Sequence, residues 1–412
     1  MYLRNVMTTI TARIAVVLLG MAASVLTARI LGPVGRGDYY FVLTFAAMIS
    51  QISNLGFHSS NTYFLAKDPT LISGLSANCI WLSIFLGGGL AVIATLFVIH
   101  EQWYPEISDR YFWLGAAFVP LSLGFTLGSN LLVGLNKIMP YNALQLINAV
   151  LHLCLVAIVG SLGGGVQTLL FAAILGFFLM CLILAVLLYK NGAGQIRFDK
   201  NVFKSSVKYA FKAYLICMLG FLVLRGGVFI LKRYTSSQEI GYYSIAAQIA
   251  DGVGIFPQGV ALVLFPNLIQ NESSRWTTTW KNLGVIALLL ALLCGAIVLF
   301  APLGISVLFG ARYLPALPIL YCLLPGAYFL GLSAVVSQYL AAIGMPRELI
   351  VIWMIALLLL LAGCWVWIPI YSAMGAAMAS SLAHSALFCM LIMLGFKHNR
   401  RAARIRGQPI VD

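Results

Sequence analysis

Apolar runs of about twenty residues, one after another from Ile10 to Phe396, constrain this chain more than any other feature. A hydrocarbon core of about 30 Å is crossed by a helix of about twenty apolar residues rising 1.5 Å each. Membrane-spanning strands would alternate apolar and polar over about ten residues, whereas these runs are continuous. Twelve spans are expected: roughly 10–31, 39–64, 75–99, 112–135, 140–160 and 166–189, then 213–233, 241–268, 283–303, 314–340, 348–370 and 373–396. Only Pro369 to Ser372 separate the last two. Charged residues make up 9% of the chain, against roughly 25% in soluble domains. The expectation is an all-α polytopic membrane protein.

One stretch organises the order of these spans. Ala28 to Asp68 reads ARILGPVGRGDYYFVLTFAAMISQISNLGFHSSNTYFLAKD. An apolar run ends at Arg29, a Gly/Pro turn follows, and a second run opens on Tyr39-Tyr40 and carries Gln51, Asn54, His58 and Asn61. That second run is too polar to face lipid all round. A fainter copy begins at Leu231, where Tyr242-Tyr243 stands for Tyr39-Tyr40 and Gly259 for Gly56, with Gln248 and Asp251 breaking the apolar helix. Matching halves of this kind predict two six-helix bundles related by pseudo-twofold symmetry. The expected layout is 1–189 for the first bundle, 190–212 for a basic linker, 213–396 for the second bundle and 397–412 for a basic tail.

Basic residues set the orientation. One set of loops holds Lys67, Lys137, Arg275, Lys281, Arg347 and the cluster Lys190, Arg197, Lys200, Lys204, Lys208 and Lys212. Arg4 and the tail residues Lys397, Arg400, Arg401, Arg404 and Arg406 lie on that side. The opposite loops hold Arg36, Arg110, Lys232, Arg233 and Arg312. Both termini are expected to be cytoplasmic. The asymmetry explains the net charge of +14 without any nucleic acid, and its side effect is attraction to anionic membrane lipids. Arg4 and Arg13 ahead of an apolar run mimic a secretory signal, but the run continues to Leu31 and reads as an uncleaved first helix. In the linker, Phe198, Val202, Val207 and Phe211 among lysines fit either an amphipathic helix on the membrane surface or a solvated connector.

Motifs of soluble enzymes are missing. There is no G-x-x-x-x-G-K-[ST], G-x-S-x-G, H-E-x-x-H or G-x-G-x-x-G, so neither a P-loop nor a catalytic constellation is expected, and no cofactor or metal. The eight cysteines form no C-x-x-C pair and read as small apolar residues. The largest outer loop, with Glu101, Glu106 and Asp109, is about a dozen residues, small for a membrane glycosyltransferase or polymerase.

Polarity inside the membrane remains, and it usually faces a cavity or a partner. Arg225 lies about 18 Å into its span and Asp251 about 15 Å into the next from the opposite end, at similar depth. They fit a structural ion pair. They also fit a cationic contact for an anionic substrate beside a proton or sodium coupling site. Arg13 and Arg29 either snorkel to the interface or extend a cationic lining. Asn130, Asn136, Gln145, Asn148 and His152 cluster on spans four and five, the last three on one helix face. They suit a hydrogen-bonding seam or a sugar-hydroxyl lining. His58 and His384 are single histidines in apolar helices and read as satisfied core residues ahead of proton relays. DGVGIFPQG, Asp251 to Gly259, places a proline and three glycines in mid-span, as either a kink or a broken-helix site. Tyr39, Tyr40, Tyr242, Tyr243, Trp103 and Trp113, with Trp276 and Trp280, read as interfacial belts.

The segment ARILGPVGRGDYYFVLTFAAMISQISNLGF resembles the first hairpin of the polysaccharide flippases, the O-antigen and capsule repeat-unit translocases of the multidrug, oligosaccharidyl-lipid and polysaccharide exporter superfamily. LFGARYLPALPILYCLLPGAYFLGLSAVVSQYLAAIGMPRE, Leu308 to Glu348, is similar to the ninth-to-tenth-helix region of the same family. The resemblance implies two bundles around a central cavity that opens alternately to each side without ATP. The implied cargo is undecaprenyl-pyrophosphate-linked oligosaccharide, moved across a bacterial inner membrane. Arginine matches phosphate oxygens bidentately, so Arg29 and Arg225 are the expected pyrophosphate contacts. Gln51, Asn54, Asn130, Gln145, Asn148 and His152 are the expected sugar-facing lining, with Asp251 as an ion-coupling site. A monomer that serves polysaccharide polymerase machinery is expected. A cation-coupled multidrug exporter, a membrane glycosyltransferase or polymerase, and a non-transporting assembly scaffold are the alternatives.

Overall fold

The computed structural model describes residues 2–194, 198–270 and 272–406, and every regular element among them is helical. Arg197 of the basic cluster and residues 407–412 of the tail lie outside the described residues, as do the side chains of Arg4, Lys208, Phe211, Lys212, Arg404 and Arg406. The chain divides into two compact units, one of Met1–Phe221 with Ser236–Gly241 and one of Leu222–Thr235 with Tyr242–Asp412.

The first unit opens with α1 (Tyr2–Asn54), 53 residues long. It is two arms. Gly32 sits at φ 64°, ψ −179°, and Pro33 follows it. Arg36 donates to Ser24 Oγ, 2.8 Å away and twelve residues back. A straight helix would separate those positions by about 18 Å, so the chain has folded back on itself. The expected hairpin is present, but its second arm starts at Pro33 rather than at 39, and the turn is shorter than expected. That arm ends where Leu55 and Gly56 both take positive φ, and α2 (Phe57–Lys67) continues it.

The third crossing runs through α3 (Ile72–Trp81), a π-helical turn at Leu82–Gly88 and α4 (Gly89–His100). Then come α5 (Asp109–Gly134), α6 (Ile138–Ser161) and α7 (Val166–Lys190). Phe57, Leu65, Leu75, Leu127, Leu131, Leu144, Met180 and Leu184 from five of these helices close one buried apolar cluster.

The linker leads into α8 (Lys200–Tyr234). Asp199 Oδ1 accepts from the amides of Asn201 and Val202 at 3.0 and 3.1 Å, satisfying donors the helix start leaves open. Asn78 of α3 holds the Asp199 backbone by two hydrogen bonds of 2.9 and 3.0 Å. The connector is therefore a docked helix, and small side chains form the face it turns to the protein. Val207 and Phe198 are exposed, while Ser206 and Ala210 are buried and Phe203 stacks on Phe57 at 5.2 Å. Small side chains let α8 approach α2 closely enough for Ser60 Oγ to donate to the Ser206 carbonyl.

The second unit contains the end of α8, most of α9 (Ser237–Val253), then α10 (Ile255–Gln270), α11 (Arg275–Leu308), α12 (Ala316–Ala342) and α13 (Glu348–Arg406). Like α1, α13 is a hairpin, turned at Ser372 (φ 50°, ψ −129°), at the junction of the two expected spans. A Cβ on Gly363 would lie 3.0 Å from that of Ala379, sixteen residues on. The α9–α10 break falls at Gly254, five residues before the Gly259 that the sequence copy pairs with Gly56.

Nine stretches among the described residues are long and apolar enough to cross a membrane. With α1 and α13 each folded back, and α9 with α10 forming one more, twelve crossings result.

Three of the four paired tyrosines depart from the aromatic-belt expectation. Tyr39, Tyr242 and Tyr243 are buried, and Tyr242 packs edge-on against Tyr313 at 6.3 Å. Trp276 is buried against Tyr339 and Phe396, so packing inside the protein takes these rings from the interface.

Candidate functional site

A cavity of about 470 Å³ lies within the second unit. Its walls come from the middle of α8, the α9–α10 break, α12 and both arms of α13. Most of the lining is apolar or small, including Ala247, Ala250, Ala327, Leu330, Gly331 and Ala334. The titratable lining groups are Arg225, Tyr243, Asp251 and His384.

Arg225 and Asp251 meet there, with Nη2 and Oδ2 2.6 Å apart. The similar depth expected from the sequence is what allows this. Their side chains are 29% and 46% exposed. An ion pair that open gains little net stability, so its main effect is to hold two charges on the cavity wall. Asp251 occupies the last turn of α9, and Gly254 donates its amide to the Asp251 carbonyl as the helix breaks. A carboxylate at a helix C-terminus faces the negative end of the helix dipole, and Arg225 offsets that. The DGVGIFPQG segment is thus a break and not only a kink.

His384 completes the set. It is 7% exposed, it lines the same cavity, and its Nε2 has no hydrogen-bond partner among the described residues. Gly326 of α12 lets the ring approach, since a Cβ there would lie 3.2 Å from His384 Nδ1. The sequence reading of His384 as an isolated core histidine missed its place on this wall. No periodicity could reveal it, because α8 and α13 lie far apart in the chain. Among the described residues no cluster of His, Cys, Asp or Glu could hold a metal ion.

The first unit carries the remaining expected residues. Arg29 is exposed near the end of the first arm of α1. Gln51 is half-buried on the second arm, and Asn54 is buried, its Oδ1 accepting from the His58 amide at 3.3 Å and lying 3.0 Å from His58 Nδ1. Asn130 donates to the Thr126 carbonyl, and its own carbonyl accepts from Thr62 at 3.2 Å. Asn54, His58, Thr62 and Asn130 therefore form a polar seam between the α1–α2 crossing and α5. Gln145, Asn148 and His152 are half-buried along one side of α6.

Arg36 corrects the sequence reading most sharply. Expected in a loop, it is 7% exposed and donates to Thr27 Oγ1 at 2.5 Å and to Ser24 Oγ at 2.8 Å. Its charge acts on both Tyr39 and His152. Because the helix restarts at Pro33, the fourth residue of the second arm faces the first arm and not water.

Solved structures share this fold. A multidrug resistance MATE family transporter of the MOP superfamily, in its inward-facing conformation, superposes with a TM-score of 0.74 at 16% identity, over 93% of this chain and 94% of that one. Lipid II flippase MurJ, in an inward closed conformation, gives 0.75 at 16% identity over 93% and 86%. A MOP superfamily transporter from Pyrococcus furiosus, described as having a binding pocket of reverse polarity, gives 0.67 at 14% over 97% and 95%. No curated sequence relative matches the chain. The family model described as polysaccharide biosynthesis protein matches residues 2–272. This multi-pass membrane protein, with the two-unit fold of MOP-superfamily transporters, belongs to the polysaccharide biosynthesis protein family.

Proposed function

We propose that this protein is a bacterial inner-membrane flippase. It moves an undecaprenyl-pyrophosphate-linked oligosaccharide, a repeat unit of O-antigen, capsule or exopolysaccharide, from the inner to the outer leaflet by alternating access. The observation that carries this reading is a guanidinium, Arg225, on the wall of an otherwise mostly apolar cavity among the apolar helices of the second unit. A pyrophosphate cannot cross hydrocarbon unaided, and a guanidinium binds phosphate oxygens through two parallel hydrogen bonds. Arg29 supplies a second cationic contact on the first unit. Gln51, Asn54, Asn130, Gln145, Asn148 and His152 offer hydroxyl-matching groups for the glycan, and Asp251 is the group to which ion coupling is assigned.

Both termini are cytoplasmic in this reading, and the monomer passes its product to polymerising machinery. Reduced transport by an Arg225→Ala variant that still folds would argue against a scaffold that does not transport. The alternative is a cation-coupled multidrug exporter, which the MATE-like fold brings to mind. Arg225 disfavours it, because Arg225 already neutralises Asp251 and a cationic drug would have to displace it.

The test uses purified protein in liposomes containing labelled undecaprenyl-pyrophosphate oligosaccharide and an impermeant glycosidase. Digestion should exceed the outer-leaflet share seen in protein-free vesicles. Arg225→Ala should slow the rise about tenfold or more, the expected cost of losing a charged hydrogen-bond pair. Digestion that stays at the protein-free value under imposed proton and sodium gradients would overturn the reading.

A further inference from the structure

Resting on that reading, we propose that the anionic headgroup and a proton bind the second-unit cavity together. A phosphate of the cargo takes the place of Asp251 on Arg225, and the cavity then draws one proton from solvent onto its titratable wall.

The first step follows from the occupancy of Arg225. Its Nη2 is held by Asp251 Oδ2 at 2.6 Å, so a phosphate that seeks the same donors competes with a carboxylate already in place. The pair is open to the cavity, with Asp251 46% exposed, so a ligand can reach it. Displacement leaves Asp251 with three penalties. It has lost its cation, it sits on the last turn of α9 at the negative end of a helix, and it now faces an anion. Each penalty disfavours the carboxylate and favours the neutral acid.

His384 is the second group on this wall that can take a proton, with its Nε2 unpartnered among the described residues and its ring on the same cavity. Among the described residues that line the cavity, Tyr243 is the one further titratable group. Linkage then fixes the sign: if the complex binds more protons than the free protein, affinity for the anion rises as pH falls.

The experiment takes the full-length protein in nanodiscs and a water-soluble short-prenyl pyrophosphoryl sugar. This diester does not itself titrate near neutrality. Calorimetry in buffers of different ionisation enthalpy reads the proton count between about pH 5 and 8. The expected result is uptake approaching one proton per ligand, with Kd falling by up to about tenfold per pH unit. Asp251→Asn removes the competitor, so it should bind the diester about tenfold more tightly with a weaker pH dependence. Adding His384→Gln should flatten what remains.

Several results overturn the proposal. Binding without proton uptake leaves the flippase reading standing and removes the coupling. Weaker binding by Asp251→Asn shows that Asp251 only supports the fold. Undiminished binding by Arg225→Ala moves the headgroup to another site. If the diester fails to bind at any pH, the coupling and the flippase reading fall together.

Discussion

Arg36 and Arg29 show how two arginines seven residues apart take opposite roles. Arg36 donates to Ser24 and Thr27 from a buried position, while Arg29 is exposed. Removing the Arg36 guanidinium would leave buried hydroxyls without their donor, at a cost of about 1–3 kcal/mol. Arg36→Ala should therefore lower the melting midpoint of the purified protein, and Arg36→Lys, which lacks the fork, should recover only part of the loss. Arg29→Ala should melt with wild type yet slow transport. Equal stability of Arg36→Ala and wild type would show that the hairpin does not depend on this contact. Arg225 and Asp251 were legible in the sequence because charge is rare in apolar spans and helix rise gives its depth. Arg36 was not, because its burial depends on a helix restarting at Pro33, and Gly-Pro-Val-Gly reads locally as a turn.

At the scale of elements, hydropathy revealed the crossings but not their breaks. The break at Gly254 lies inside DGVGIFPQG, which a proline and three glycines mark as a kink or a break, whereas Leu55-Gly56 falls in the polar stretch QISNLGFHSSN with no proline to mark it. The protein-facing side of the linker helix was not legible either. Apolar spacing picks out a membrane-surface face, on which Phe198 and Val207 are exposed, whereas close approach to α2 selects Ser206 and Ala210 for their size. Small residues also set the contact between the first hairpin and the start of α9, both inside the first unit. A Cβ on Gly37 would lie 1.7 Å from the Ser237 carbonyl oxygen, and one on Gly241 would lie 2.0 Å from that of Pro33. Asp38 Oδ1 accepts a hydrogen bond from Ser237 Oγ at the same place. Gly37→Ala should force these backbones apart at a cost of about 1–3 kcal/mol. Hydrogen exchange would report this as faster amide exchange over residues 236–241 while α5–α7 keep their protection. Unchanged exchange at 236–241 would show that the two backbones do not rest in contact.

For the whole molecule, the structure sharpens the charge asymmetry that sets orientation. Two of the five basic residues assigned to one side, Arg36 and Lys232, are buried, which removes them from the loops. Arg110, Arg233 and Arg312 remain there, against the many lysines and arginines of the other side. Topology follows the loop charges that water and headgroups meet, so these three are the ones that bear on that side. With six expected crossings before the loop at 191–194 and twelve before the tail, the proposed topology has that loop and both termini on one side. The loop at 163–165 follows five crossings and belongs to the other side. A fluorescent protein fused after Asn191 or Arg406 should therefore fluoresce, and alkaline phosphatase at either point should be inactive. Alkaline phosphatase inserted after Gly163 should be active. Activity after Asn191 would invert the protein, and would put its basic surface on the wrong side to meet a lipid-linked substrate made in the cytoplasm. Activity after both Gly163 and Asn191 would mean that α7 does not cross, and the two six-crossing halves would fall with it.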